Sequence, residues 1–111
     1  MKTAGYTFNM RSVTAAVLKE QLGNGEPIFL LDVRESFEHE EFNIGGVLIP
    51  LGEVTQRFAE IPADREVVVY CRKGIRSQIA IQRLQDKYHF TNLVNLTGGM
   101  EAWKQFLNSP S

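Results

Sequence analysis

The chain has 111 residues, a formal net charge of −1, and 43% hydrophobic and 23% charged residues. Such values are typical of one globular domain, residues 1–111. The near-neutral charge argues against nucleic-acid binding, and no apolar run approaches the ~20 residues of a membrane span. With no secretory signal and one cysteine, we expect a cytoplasmic protein without nucleic-acid or membrane partners.

The first third of the chain predicts a strand, a helix and a second strand. Residues 6–10 fit a short strand. Thr14 is placed to cap a helix over residues 15–22, which the glycine-rich turn at residues 23–25 ends. Residues 28–33 are a continuous apolar run, and such runs are typical of strands buried on both faces of a parallel sheet.

The middle third predicts shorter elements. Residues 36–42 indicate an acidic helix with Ser36 as its cap. Residues 47–49 indicate a strand, which Pro50 ends because proline cannot continue the hydrogen bonding of a sheet. Apolar residues at i, i+4 and i+7 then predict a helix over residues 54–61.

The last third predicts two buried strands, at residues 66–70 and 93–96, each followed by a helix. The expected buried positions are Ile75, Ile79, Leu84 and Tyr88 on the first helix and Met100, Trp103, Phe106 and Leu107 on the second. Apolar strands that alternate with amphipathic helices indicate an α/β domain with a mainly parallel sheet.

Cys71 is the only cysteine, and it lies where a buried strand runs into a basic, glycine-containing turn. Ligands of parallel sheets bind beyond the carboxyl ends of the strands, and a helix N-terminus there adds N–H groups and a positive dipole end. These groups stabilise a thiolate, the nucleophilic form of cysteine. Gly74 permits the loop to curl around the sulfur. Three basic residues would attract a small dianion to it: Arg72, Lys73 and Arg76.

Other clusters of polar residues carry weaker predictions. A purely structural cysteine at a strand end is the alternative for Cys71. His39 and His89 have no ligand-like spacing, so we expect no metal site. The acidic residues of the short helix most simply form a solvated helix face; they are Glu35, Glu38, Glu40 and Glu41. Glu38 is the one that we keep as a candidate.

Four segments, in order, resemble the blocks of the rhodanese family of sulfurtransferases. The resemblance as a whole covers about residues 10–108, the core of the domain. The four segments are LDVRE at residues 31–35, IPL at 49–51, the active-site-like loop CRKGIRS at 71–77, and LTGGMEAW at 96–103.

The resemblance implies a five-stranded, mainly parallel sheet flanked by helices on both faces. It also implies sulfur transfer without a cofactor, through a persulfide on Cys71. A small sulfur-containing anion such as thiosulfate, or a persulfide, would be the donor, and cyanide, a thiol or a protein would accept the sulfur. The resemblance assigns the cradling of the persulfide to the loop amides, anion binding to Arg76, and structural support to Asp32 and Arg34. The loop residues are Arg72, Lys73, Gly74, Ile75, Arg76 and Ser77.

One block departs from the commonest family pattern. Residues 42–47 read FNIGGV where many relatives have a glycine–histidine pair followed by an isoleucine. This variant is similar to rhodanese domains attached to adenylating enzymes that supply sulfur to cofactors and tRNA. The resemblance therefore implies a persulfide relay and leaves the acceptor open.

Two other functions compete with sulfur transfer. Cysteine-dependent phosphatases and arsenate reductases also hold a thiolate in a ring of amides. Phosphatases place their arginine one position further from the cysteine, where this chain has Ser77. The other alternative is a non-catalytic binding or regulatory module, because fold alone does not decide function.

Overall fold

The computed structural model describes residues 10–109 and contains a five-stranded sheet. The strands are β1 (Arg11–Val13), β2 (Phe29–Asp32), β3 (Val47–Leu48), β4 (Val67–Tyr70) and β5 (Leu93–Leu96). They lie in the order β1-β5-β4-β2-β3, and all four pairings are parallel. The predicted strand at residues 6–10 lies outside the described residues except for Met10, which belongs to no element.

Helices cover both faces of the sheet, as the resemblance implies. They are α1 (Ala15–Gly23), α2 (Ser36–Glu41), α3 (Ile75–Tyr88) and α4 (Gly99–Asn108). The side chains of Val67 and Val69 in β4 pack with α3 on one face of the sheet. Those of Val68 and Tyr70 point to the other face and pack with α1 and α4.

The central position of β4 explains its composition. Its neighbours are β2 and β5, so both of its edges are hydrogen-bonded and all four of its residues are buried. A strand with no solvent-facing side needs an apolar residue at every position. Cys71 is the residue immediately beyond its carboxyl end.

The helix predicted over residues 54–61 is wrong. Two short 3-10 helices stand near it instead, Leu51–Glu53 and Phe58–Glu60, with turns between them. Val54 and Ile61 are still buried in the core. Phe58, the middle apolar position, is 38% exposed, so the spacing predicted burial correctly at two of three positions and did not predict the conformation.

The buried stripe predicted for α3 is also wrong in part. Ile75 and Ile79 are exposed, at 65% and 37% of their surface. The helix instead packs through the residues Ser77, Ala80, Ile81 and Leu84. Their spacing of three and four is that of one helical face. Two of these residues, Ser77 and Ala80, have small side chains, which let the helix approach the sheet closely. A prediction based only on large apolar residues overlooks them.

Three smaller differences concern the ends of elements. Phe106 and Leu107 are exposed rather than in the core, whereas Met100 and Trp103 are buried as predicted. Ser36 is the first residue of α2 and not its cap, because the residue before it takes the extended capping conformation. No helix in the described part of the chain is both long and apolar enough to span a membrane.

Candidate functional site

Cys71 lies between the end of β4 and the start of α3, with 1% of its surface exposed. Its Sγ accepts the backbone N–H groups of Gly74 at 3.1 Å and Ser77 at 3.3 Å. These donors belong to the turn before α3 and to its first turn, where N–H groups have no partner inside the helix. Two amide donors and the positive end of a 14-residue helix therefore converge on one sulfur atom.

The start of α4 fixes the loop that contains Cys71. The first-turn N–H groups of Met100 and Glu101 donate to the carbonyl oxygens of Cys71 and Arg72, at 2.9 and 3.0 Å. Gly99, at φ +60°, is required here because a Cβ would lie 2.7 Å from the carbonyl of Arg72 and would collide with that of Cys71. The backbone carbonyls of Cys71 and Arg72 thus accept hydrogen bonds from α4. This contact explains why the segment at residues 96–103 belongs to the site.

Gly74 fits the same junction from the other side. Its φ is +96°, a conformation that residues with a Cβ rarely adopt. A Cβ there would also lie 3.2 Å from the backbone nitrogen of Gly98. The role that the sequence predicts for this glycine, to permit a tight loop, agrees with this geometry.

A buried polar pair extends the surroundings of the sulfur. The Cys71 thiol lies 3.5 Å from the Ser77 hydroxyl, which donates in turn to Oδ1 of Asn95 at 2.5 Å. Ser77 and Asn95 are 0% and 4% exposed. The sequence reasoning missed Asn95. Its signal was a polar residue inside an otherwise apolar buried strand, because such a residue needs a partner.

Arg76 is held by a carboxylate. Its Nη1 and Nη2 donate to the two carboxylate oxygens of Glu38, each at 2.8 Å. The hydrogen bond from Arg76 is the largest cause that lowers the pKa of Glu38, to about 2. Glu38 is therefore not on a solvated helix face as predicted; its side chain is only 15% exposed.

The three cations near Cys71 are not equally available. Arg72 pairs with Glu101 at 3.2 Å, but this pair is open to solvent. Lys73 forms no ion pair with any residue between 10 and 109. A cavity of about 200 Å³ next to the sulfur is lined by Cys71, Arg72, Lys73, Ile75 and Arg76. The sequence brings three positive charges to this cavity, and the fold neutralises two of them.

Asp32 and Arg34 form a buried ion pair. The Nε and Nη2 of Arg34 donate to the two oxygens of Asp32 at 2.9 and 2.8 Å, and both side chains are almost fully buried. Nη2 also donates to the carbonyl of Phe42, and Nδ1 of His39 lies 2.8 Å from Asp32. The bridge thus anchors α2, the helix that carries Glu38. Glu38 in turn accepts hydrogen bonds from Arg76 of α3, and the support of the site by Asp32 and Arg34 stays a prediction.

The two histidines are far apart. His39 contacts Asp32, whereas His89 lines a second cavity, of about 350 Å³, beside Tyr88 and Phe90 near the start of β5. Cys71 lies at the opposite edge of the sheet, beyond the carboxyl end of β4. Within residues 10–109 there is no cluster of three potential metal ligands.

Comparison with known proteins gives a consistent family. The Rhodanese-like domain family matches residues 14–106. The putative sulfurtransferase YtwF of Bacillus subtilis is 34% identical over 96 residues, which are 86% of this chain and 91% of that protein. The putative sulfur carrier protein YrkF of the same organism is 35% identical over 92 residues, 82% of this chain, but the chain spans only 49% of YrkF.

Two further matches extend this picture. The probable adenylyltransferase/sulfurtransferase MoeZ of Mycobacterium tuberculosis is 35% identical over 95 residues, 83% of this chain and 24% of MoeZ. The crystal structure of a rhodanese-related protein from Thermoplasma volcanium superposes with a TM-score of 0.78 at 31% identity, covering 90% of this chain and 95% of that one. The chain therefore belongs to the rhodanese-like family, and one of its relatives is named as a probable adenylyltransferase/sulfurtransferase.

Proposed function

We propose that this protein is a sulfurtransferase that carries a sulfane sulfur as a persulfide on Cys71. The observation that carries the proposal is the pair of amide donors on Sγ, from Gly74 and Ser77. Donors at this position favour a sulfur atom that bears negative charge. Both the thiolate and the terminal sulfur of a persulfide are such atoms.

The reaction has two steps. The Cys71 thiolate attacks the outer sulfur of a donor such as thiosulfate. A bond forms between Sγ and that sulfur, the sulfur–sulfur bond of thiosulfate breaks, and sulfite leaves with the electron pair. An acceptor such as cyanide or a thiolate then attacks the outer sulfur of the persulfide. The transferred sulfur leaves on the acceptor, and the Cys71 thiolate is restored.

The two alternative functions are less well supported. A phosphatase would need an arginine where Ser77 stands, and the Ser77 side chain is buried against Asn95 and Cys71, without a positive charge for phosphate. A non-catalytic module would not need the convergence of two amides and a helix end on a thiol. Neither alternative uses the contacts of Cys71 as fully as sulfur transfer does.

The physiological acceptor is best sought among thiols and proteins. Relatives include a protein named as a sulfur carrier and one named as an adenylyltransferase/sulfurtransferase. We propose that the Cys71 persulfide passes its sulfur to such a protein or to a small thiol, with thiosulfate as one donor. The reaction as proposed uses no cofactor and no metal. A cytoplasmic location stays a prediction of the sequence.

Turnover with thiosulfate and cyanide tests the proposal. We expect the protein to produce thiocyanate and sulfite in equal amounts, and Cys71→Ser to produce neither. A double-reciprocal plot should give parallel lines, since sulfite leaves before cyanide enters. Lack of turnover with thiosulfate and with persulfide donors would contradict the proposal. Hydrolysis of aryl phosphates that depends on Cys71 would favour the phosphatase instead.

A further inference from the structure

Glu38 pairs with Arg76, one of the residues that line the cavity beside Cys71. Both terminal nitrogens of the Arg76 guanidinium are used by the carboxylate of Glu38. A planar guanidinium and a carboxylate match in two parallel hydrogen bonds, which makes the pair stronger than one contact. The side chains are 32% and 15% exposed, so the pair is neither sealed nor fully solvated.

Arg76 is close enough to the sulfur to act on its substrate. It lines the cavity next to Cys71. Its pKa is raised chiefly by the hydrogen bond to Glu38, and the charge of Cys71 contributes in the same direction. The guanidinium therefore lies within electrostatic reach of the reacting sulfur. Any anion that enters the cavity meets the Arg76 charge together with the opposite charge of Glu38.

The carboxylate of Glu38 changes which anions bind well in the cavity beside Cys71. An incoming anion must displace Glu38 from Arg76 or bind with the Glu38 charge nearby. The repulsion that it feels is proportional to its own charge. A dianion such as thiosulfate is therefore penalised about twice as much, in free energy, as a monoanion.

The geometry points to Glu38 as a specificity-determining residue that holds Arg76 and selects singly charged sulfane donors over dianionic ones. This inference rests on the proposed sulfurtransferase function. The class of donor that it favours is a sulfane sulfur with one negative charge, as in an organic persulfide or a thiosulfonate. Lys73 remains as the cation near Cys71 that has no ion pair among the described residues.

Two probe anions separate this effect from other causes. Thiosulfate carries two negative charges and methanethiosulfonate carries one, and both present an outer sulfur bonded to an oxidised sulfur. With either one, the Cys71 thiolate takes the outer sulfur. The sulfur–sulfur bond breaks, and sulfite or methanesulfinate leaves with the electron pair. The two reactions differ in donor charge and in one methyl group.

The experiment measures the rate of persulfide formation on Cys71 with each anion, in the parent protein and in Glu38→Gln. The glutamine keeps the size of the side chain and its hydrogen-bond acceptor. We expect thiosulfate loading to rise about tenfold and methanethiosulfonate loading about threefold, because the lost repulsion scales with donor charge. Glu40→Gln removes the same charge from an exposed position on the same helix and should change both rates less than twofold.

Further variants keep the inference falsifiable. Glu38→Asp retains the charge but shortens the side chain by one methylene, and we expect it to load thiosulfate at an intermediate rate. In an Arg76→Ala background the charge of Glu38 has lost its cationic partner and still repels the donor, so the gain from Glu38→Gln should persist and should again be larger for thiosulfate than for methanethiosulfonate. Equal factors for the two anions in Glu38→Gln, or slower loading of thiosulfate, would overturn the inference alone. Absence of loading by both anions in the parent would overturn the proposed function as well.

Discussion

Two arginine–carboxylate bridges have carboxylates that are close in sequence, at positions 32 and 38, yet they occupy different environments. Asp32 and Arg34 are joined by two hydrogen bonds, and their side chains are 0% and 5% exposed. Glu38 and Arg76 are also joined by two hydrogen bonds, and Arg76 lines the cavity beside Cys71. The same chemical pair is thus used once inside the protein and once at its site.

The additional partners show what each bridge does. Arg34 also donates to the carbonyl of Phe42, and Asp32 also contacts His39 and the backbone N–H of Arg34. A charge with this many partners cannot be removed without leaving others unsatisfied in a buried place. Arg76 has a solvent-exposed side from which another anion can reach it. The first bridge therefore maintains the fold, and the second can exchange its partner.

Asp32→Ala should have the largest effect. It leaves the Arg34 guanidinium buried without its carboxylate, and breaking a buried pair in this way costs ~3–5 kcal/mol. We expect urea denaturation to show a loss of this size in the free energy of unfolding, together with slower persulfide formation, since α2 is anchored by the bridge. Asp64→Ala, which removes an exposed carboxylate paired with Arg65, is the control and should leave stability close to that of the parent. Equal stability of Asp32→Ala and the parent would contradict a structural role.

Arg76→Ala should act in the opposite way, with a large effect on activity and a small one on stability. One charge-assisted contact is worth ~1.5–3 kcal/mol, so we expect thiosulfate loading to fall roughly tenfold or more. The free energy of unfolding should fall by less than ~1 kcal/mol, as is usual for ion pairs near the surface. Stopped-flow loading assays and urea denaturation measure the two effects.

Arg83→Ala is the matched control for this prediction. Arg83 is an exposed arginine on the same helix, α3, and does not line the cavity beside Cys71. It should load thiosulfate at the parent rate. If Arg83→Ala and Arg76→Ala lose activity equally, Arg76 acts only through the general charge of the protein and is not part of the anion site.

Acid titration of the bridge between Glu38 and Arg76 should give the smallest change in the free energy of unfolding. The pKa of Glu38 falls from its ordinary 4.5 to about 2 because Arg76 donates to it. A carboxyl whose pKa is lowered on folding stabilises the protein above its ordinary pKa, and this contribution is lost as the pH falls. The difference in unfolding free energy between the parent and Glu38→Gln, ~1 kcal/mol or less, should therefore be constant above pH 4.5 and shrink between pH 4.5 and about 2. A difference that instead shrinks near neutral pH would place another titrating group in control of the bridge.

The sequence was sufficient to predict the parts of the fold that follow from local patterns. The buried strands β2, β4 and β5 and the helices α1, α3 and α4 are close to the predicted positions, because continuous apolar runs, Thr14 and the glycine turns are local signals. The strand β1 was missed, since it has three residues, two of them exposed, and is held by its pairing with β5.

The loop around Cys71 could be predicted from the sequence, but the side-chain contacts around that loop could not. The position of Cys71 before a helix N-terminus predicts the amide donors near its sulfur, which are present at Gly74 and Ser77. The contacts of Glu38 with Arg76 and of Asn95 with Ser77 join residues 38 and 18 positions apart. Such contacts depend on the packing of separate elements, so a single sequence does not identify the two partners, even where a polar residue in a buried strand, as at Asn95, indicates that one is needed.

The most direct test of the central claim is the intact mass of the protein after incubation with thiosulfate and removal of excess reagent. We expect one species heavier than the parent by a single sulfur atom, which returns to the parent mass when cyanide is added. Cys71→Ser should show no change in mass. An unchanged parent mass, or an equal gain in Cys71→Ser, would contradict the account that Cys71 carries the transferred sulfur.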